Sequence, residues 1–156
     1  MVTETEWLDQ AVALAAQNVT DGGGPFGAIV VRDGELLASG TNQVTPTLDP
    51  TAHAEVVAIR AACRAVGSFR LDGCLLVSSC EPCPMCFASA LWARVERIVF
   101  AADRYDAAKA GFDDRAFYEV FQNEPAQWPL TLAQLPLAAA TRPFEEWGRK
   151  SDRTDY

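Results

Sequence analysis

The chain has 156 residues, 49% hydrophobic and 22% charged, with a net charge of −8. That length predicts a single domain, able to bury roughly two-thirds of its unfolded surface without covalent staples. No apolar run approaches the roughly eighteen residues of a membrane span, and 13 basic residues against 21 acidic ones argue against nucleic acid as a partner.

In chain order, residues 5–18 predict a helix, with Trp7, Leu8, Val12, Leu14 and Ala15 at helical spacing. Asp21-Gly22-Gly23-Gly24-Pro25 breaks it. Phe26 to Arg32 and Glu35 to Gly40 read as strands joined by the hairpin signal Asp33-Gly34. A polar loop from Thr41 to Pro50 carries Asn42. Ala52 to Val66 predicts a second helix, capped by Asp49 or Thr51 and ended by Gly67. Cys74 to Ser78 reads as a short buried strand, Pro84 to Ala93 as a third helix and Glu96 to Ala101 as another strand. Farther on, Arg115 to Gln122 predicts a helix, Leu130 to Leu135 a strand and Phe144 to Lys150 a last short helix. Strands alternating with helices imply an α/β layered fold.

Five cysteines, an odd number with three clustered at 80, 83 and 86, suit reduced thiols and metal better than disulfides. With no basic leader segment at the N-terminus, a cytoplasmic location is expected.

The chemistry concentrates in His53-Ala54-Glu55 and Pro82-Cys83-Pro84-Met85-Cys86. His53, Cys83 and Cys86 form a three-ligand zinc set, and three ligands leave a tetrahedral zinc one open position for water. Glu55 is then the carboxylate that moves that water's protons. Both half-motifs fall at predicted helix starts, where unpaired N–H groups and the helix dipole favour thiolate. The alternative is a closed, inert site with Cys80 as a fourth ligand, which leaves Glu55 without a role.

This histidine–glutamate and paired-cysteine pattern resembles the zinc-dependent cytidine/nucleobase deaminases. Gly23 to Ala28, Asp49 to Glu55, Ser79 to Cys86, Ala110 to Asp114 and Tyr156 further resemble the bacterial guanine deaminases within that superfamily. The resemblance implies a three-layer α/β/α cytidine-deaminase-like fold with a central mixed sheet, and hydrolysis of guanine to xanthine and ammonia. It implies Zn²⁺, with Glu55 catalytic and Asn42, Phe26, Ala54, Glu81, Trp92, Asp114 and Tyr156 around the substrate. Asn42 binds the base edge, Phe26 and Trp92 flank the ring, and Asp114 accepts from purine N–H donors. Glu81 orients substrate or relays a proton, and Tyr156 closes the pocket. Asn42, Phe26, Trp92 and Asp114 each also suit a plainer role, as turn or packing residues. Glu145 and Glu146 read as a solvated helix face. A homodimer with segments from about residue 130 exchanged between subunits is implied as well.

Rival readings keep the zinc motif and change the substrate: guanosine, cytosine, an aminated triazine, or adenosine in tRNA. The C-terminal run Arg149 to Tyr156 alternates charge signs, unlike a surface built to hold phosphates. A non-catalytic zinc domain is the rival of a different class.

Overall fold

The computed structural model describes residues 2–156. They form two compact units, one ending at Tyr118 and the other Glu119–Tyr156.

The first unit is built on a four-stranded mixed sheet. Helix α1 (Glu4–Thr20) precedes the hairpin β1 (Gly27–Arg32) and β2 (Glu35–Thr41). A short α2 (Val44–Thr47) and the longer α3 (Ala54–Val66) lead into β3 (Cys74–Cys80), α4 (Pro84–Trp92) and β4 (Arg97–Ala102). Strand order is β2-β1-β3-β4; β1 runs antiparallel to both its neighbours, and β3 is parallel to β4. Parallel neighbours need a crossover, and α4 supplies it. The Asp33-Gly34 turn has φ of 53° and 78°, the paired positive values that match the twist of a two-residue hairpin.

Alternation along the strands sorts the core into two layers. Ile29, Val31 and Val77 point to one face and meet Trp7 and Ala11 of α1. Ala28, Val30 and Leu76 point to the other and meet Ala54, Ala58, Ile59 and Ala62 of α3 with Ala90 of α4. The helix–sheet–helix sandwich expected from the sequence is therefore present. Alanine dominates the helix side of that second layer. Small side chains let α3 lie close to the sheet, so close to Gly40 of β2 that a Cβ there would come within 2.4 Å of the Ala54 carbonyl.

Several boundaries differ from the sequence expectation. α3 begins at Ala54 because His53 is still extended (φ −66°, ψ 154°). Neither Asp49 nor Thr51 caps it; Asp49 Oδ1 instead accepts from the Thr51 amide and hydroxyl at 2.8 and 2.7 Å, closing the preceding turn. Gly67 ends the helix in the left-handed region, as expected (φ 65°). An unexpected helix, α5 (Arg104–Lys109), follows β4 and is capped by Asp103, whose carboxylate accepts from the Tyr105 and Asp106 amides.

α6 (Arg115–Val120) spans the end of the first unit. In the second unit, Leu130 to Leu135 is not a strand. All four strands of the described residues lie between Gly27 and Ala102, and Pro129 and Pro136 bracket the segment, so it joins no ladder. α7 (Arg142–Arg149) closes the chain's secondary structure. No helix among the described residues is long and apolar enough to cross a membrane.

Candidate active site

Two helix N-termini converge on one point. His53 is the residue before α3, and Cys83 is the residue before α4; neither makes a side-chain cap bond to its own helix. Pro84 at the first position of α4 needs no N–H partner there. Cys86 lies one turn in and is fully buried.

His53 Nδ1 stands 3.6 Å from Cys83 Sγ and 3.5 Å from Cys86 Sγ. The three ligand atoms all lie within 4.8 Å of one another. Zinc bonds of about 2.0–2.1 Å to nitrogen and 2.3 Å to sulfur at tetrahedral angles require an N···S edge of about 3.5 Å. The donor set and its spacing thus fit zinc. A hydrogen bond from Cys86 is the chief influence holding the Cys83 thiol down, to about 4, and it raises Cys86 correspondingly. A thiolate is already favoured at the entry ligand.

Cys80 is not part of this cluster. It ends β3 with its Sγ 3.7 Å from the Asp103 carbonyl, and burial pushes its thiol up to about 11. The closed arrangement of three cysteines and one histidine has no fourth ligand here, among the described residues.

Glu55 sits in the first turn of α3, only 6% exposed. Ser78 Oγ donates to its Oε1 at 3.3 Å and Cys86 Sγ lies 3.4 Å from Oε2. Burial raises its carboxyl above the usual range. A carboxyl that holds a proton readily, in contact with the ligand Cys86, suits proton transfer.

These residues open onto a cavity of about 660 Å³. His53, Glu55 and Cys83 form part of its wall, with Phe26, Asn42, Glu81, Arg104, Phe112 and Asp114. Phe26 meets Phe112 edge to face, ring centroids 5.0 Å apart. Asn42 is buried, and its Oδ1 accepts from the Val44 amide at 3.2 Å. The turn role and the cavity role coexist, since the side-chain amide keeps its two N–H donors. Asp114 Oδ1 is buried with no hydrogen-bond partner among the described residues, and burial, then the Cys83 charge, raises its carboxyl. An orphaned buried acceptor in a cavity wall is costly unless a ligand's donor meets it.

Other expected contacts lie elsewhere. Trp92 is in the last turn of α4, exposed, with Arg94 5.9 Å over its ring, and is not in the cavity wall. Ala54 is wholly buried in the alanine-rich core layer and does not line the cavity. Tyr156 belongs to the second unit, its ring edge-on to Trp147 at 6.4 Å. Glu145 and Glu146, on α7, both pair with Arg149.

The sequence reading missed Asn18. Its Nδ2 donates to the carbonyls of Gly24 and Asn42 at 2.8 and 2.9 Å, and its Oδ1 accepts from Gln43 Nε2 at 3.3 Å. One buried amide on α1 therefore ties the glycine loop to the Asn42 loop. A Cβ on Gly24 would lie 2.9 Å from Asn42 Oδ1, so the loop can approach Asn42 only as glycine.

Comparison with known proteins fits this geometry. Residues 1–102 match the cytidine and deoxycytidylate deaminase zinc-binding region. The chain is 44% identical to the guanine deaminase of Bacillus subtilis over 151 residues, 96% of this chain and 97% of that one. The crystal structure of that enzyme superposes with a TM-score of 0.95, covering 100% of this chain and 99% of the other. A guanine deaminase from Nitrosomonas europaea matches at 34% identity and a TM-score of 0.68, over 73% of this chain and 66% of that one. A tRNA-specific adenosine deaminase of Aquifex aeolicus is 40% identical over 96 residues, 62% of this chain and 64% of its own. With the cysteine–histidine cluster, the buried glutamate and the layered sheet all in place, the chain belongs to the cytidine and deoxycytidylate deaminase zinc-binding family.

Proposed function

We propose that this chain hydrolyses guanine to xanthine and ammonia. The observation that carries the reading is Asp114 Oδ1, a buried acceptor without a partner, in the same cavity wall as Glu55 and the metal ligands. Guanine presents neighbouring N–H donors beside the carbon that loses its amine. The full-length likeness to the Bacillus subtilis enzyme supports the same substrate.

His53, Cys83 and Cys86 would hold zinc, which when bound supplies an acidified water and a counter-charge for developing oxyanion. Glu55 takes a proton from the attacking water and delivers it to the ring nitrogen beside C2. It then passes the remaining hydroxyl proton to the exocyclic amine, which leaves as ammonia while C2 becomes a carbonyl. Water and guanine thus become xanthine and ammonia with atoms balanced. Ser78 holds Oε1 of Glu55 during the transfer. Phe26 offers a flat apolar contact to the ring, Asn42 donates to its edge and Asp114 accepts from it. Phe26 is held by Phe112, Asn42 by the Val44 amide and Glu55 by Ser78, so the base meets a largely preformed site.

Glu81 takes a positioning role and not a proton relay, because Arg104 occupies both of its carboxylate oxygens.

Trp92 and Tyr156 serve as substrate contacts of the assembled enzyme and not of this cavity wall alone, whereas Ala54 supports the site from the core layer beneath it. Leu130, Leu132, Leu135, Leu137 and Phe144 of the second unit are each at least 69% exposed. Burying such a series calls for a partner surface, which supports a homodimer that exchanges its C-terminal segments. A cytoplasmic location and a small-molecule substrate accord with the acidic, reduced-thiol character of the chain.

Ammonia release from guanine, guanosine, adenine, cytosine and tRNA tests the reading in one assay. Release from guanine is expected to dominate. Release from tRNA alone overturns the proposal in favour of an adenosine deaminase. Sedimentation at micromolar concentration tests the assembly, and a 16.9 kDa species refutes the dimer.

A further inference from the structure

Next to the metal loop stands a group of side chains to which the reaction above assigns no chemistry. Glu81 immediately precedes Pro82-Cys83. Its Oε2 accepts from both the backbone amide and Nε of Arg104 at 3.0 Å, and its Oε1 accepts from Arg104 Nη2. The pair is mostly buried, at 29% and 18% side-chain exposure. The guanidinium carbon of Arg104 lies 3.5 Å from the centroid of the Tyr118 ring. Tyr118 Oη in turn donates to the Pro82 carbonyl at 2.8 Å. The Glu81 amide closes the set by donating to the Ala102 carbonyl at 2.8 Å.

We propose that Arg104 and Tyr118 form a brace that holds the Glu81-Pro82-Cys83 segment in register for the metal, and that both are positioning residues for the deamination. The segment is gripped from two sides. Arg104 fixes the side chain one step before Pro82, and Tyr118 fixes the Pro82 carbonyl one step before Cys83. A carbonyl and a carboxylate held this way leave the Cys83 backbone little freedom to rotate. The thiol direction is therefore set before any metal arrives. The two residues come from α5 and α6, on either side of Phe112 and Asp114. The same brace thus ties the metal loop to the segment that reads the base. A fork-shaped guanidinium suits the task because it meets both carboxylate oxygens while lying over the phenol ring.

The brace rests on the guanine reading only for its kinetic arm. The zinc-loaded full chain is compared with Arg104→Gln, Arg104→Lys, Tyr118→Phe and the double variant Arg104→Gln/Tyr118→Phe. Zinc transfer to a chromophoric chelator is timed, and kcat and KM for guanine are measured. Arg104→Gln is expected to speed zinc transfer and lower kcat by about 10–100-fold, the usual effect of losing a ligand's supporting contact, with KM changed about twofold or less. Tyr118→Phe gives a smaller change of the same kind, about fivefold, for one hydrogen bond. Arg104→Lys restores part of the loss, since it keeps charge but not the fork. The double variant is no worse than Arg104→Gln alone, because Tyr118 is seated by the guanidinium.

Wild-type zinc transfer in Arg104→Gln, or effects that simply multiply in the double variant, overturns the brace. Should Arg104→Gln fail to fold, Tyr118→Phe decides, and unaltered zinc transfer there overturns the proposal equally. If the wild type releases no ammonia from guanine, the substrate reading fails while zinc transfer still judges the brace.

Discussion

Ser78 reaches from the centre of β3 to Glu55 in the first turn of α3, its hydroxyl donating to Oε1 across 3.3 Å. The sheet thereby aims the carboxylate that the helix merely supplies. The other carboxylate oxygen is left toward Cys86, on the metal side.

Glu55→Gln keeps the volume and the Ser78 contact but cannot carry a proton. Zinc content is expected to stay at wild-type level while turnover falls by at least about 10²–10⁴-fold. Metal analysis beside an ammonia assay checks both halves, and retained turnover in the zinc-loaded variant ends the proton-transfer role.

Cys83→Ala and Cys86→Ala each remove one of three ligands and are expected to lose zinc on dialysis. Cys80→Ala is expected to keep it, because Cys80 lies outside the ligand cluster. Cobalt substitution gives an independent signal, since the thiolate-to-metal absorption should persist at full strength only in Cys80→Ala. A colourless Cys80→Ala protein would restore the closed-site reading.

Asp114 links affinity to pH. Burial raises its carboxyl above the usual aspartate value of 3.8, so it loses its charge at a higher pH than an exposed aspartate. KM for guanine is expected to climb as pH falls from 7 toward that raised value. Asp114→Asn should raise KM and flatten the profile. Stability runs the opposite way. A folded-state pKa above the unfolded value means the folded form binds the extra proton. The contribution of Asp114 to stability is therefore complete below 3.8 and is lost as pH rises through the raised value. Asp114→Asn should then melt higher than wild type at pH 7, with the gap closing below 3.8. A lower melting temperature at pH 7 would contradict the assignment.

Asn18→Ala strips the donor from the buried Asn42 carbonyl and the half-buried Gly24 carbonyl, and the acceptor from Gln43. A cost of about 1–3 kcal/mol is expected in urea unfolding. KM should rise with little change in kcat, because the loosened part is the Asn42 loop and not the metal cluster.

The zinc ligands and Glu55 were legible because their spacing is local: each half-motif lies within four residues at a helix start. Asn18, Arg104 and Tyr118 were not. Their partners lie 24, 23 and 36 residues away, and only the folded sheet brings them together. Helix α5 carries a local signal of its own, Asp103 followed three residues later by Asp106, reciprocally bonded as a capping box. Trp92 is a different case. It follows Cys83 by nine residues, about 13 Å along a helix axis, so it stands outside the wall of this cavity. Leucine spacing at 130 to 135 looked strand-like, but a strand needs a neighbour, and the pattern alone does not say whether one exists.

The positions just ahead of α3 and α4 are held by a histidine and a cysteine that do not cap their helices. Elsewhere serine, threonine or aspartate at such a position strengthens a helix by about 1 kcal/mol. That remedy is barred twice here, since either replacement would discard a ligand. Anyone trying to toughen this protein against heat must leave both helix starts alone and work at other sites.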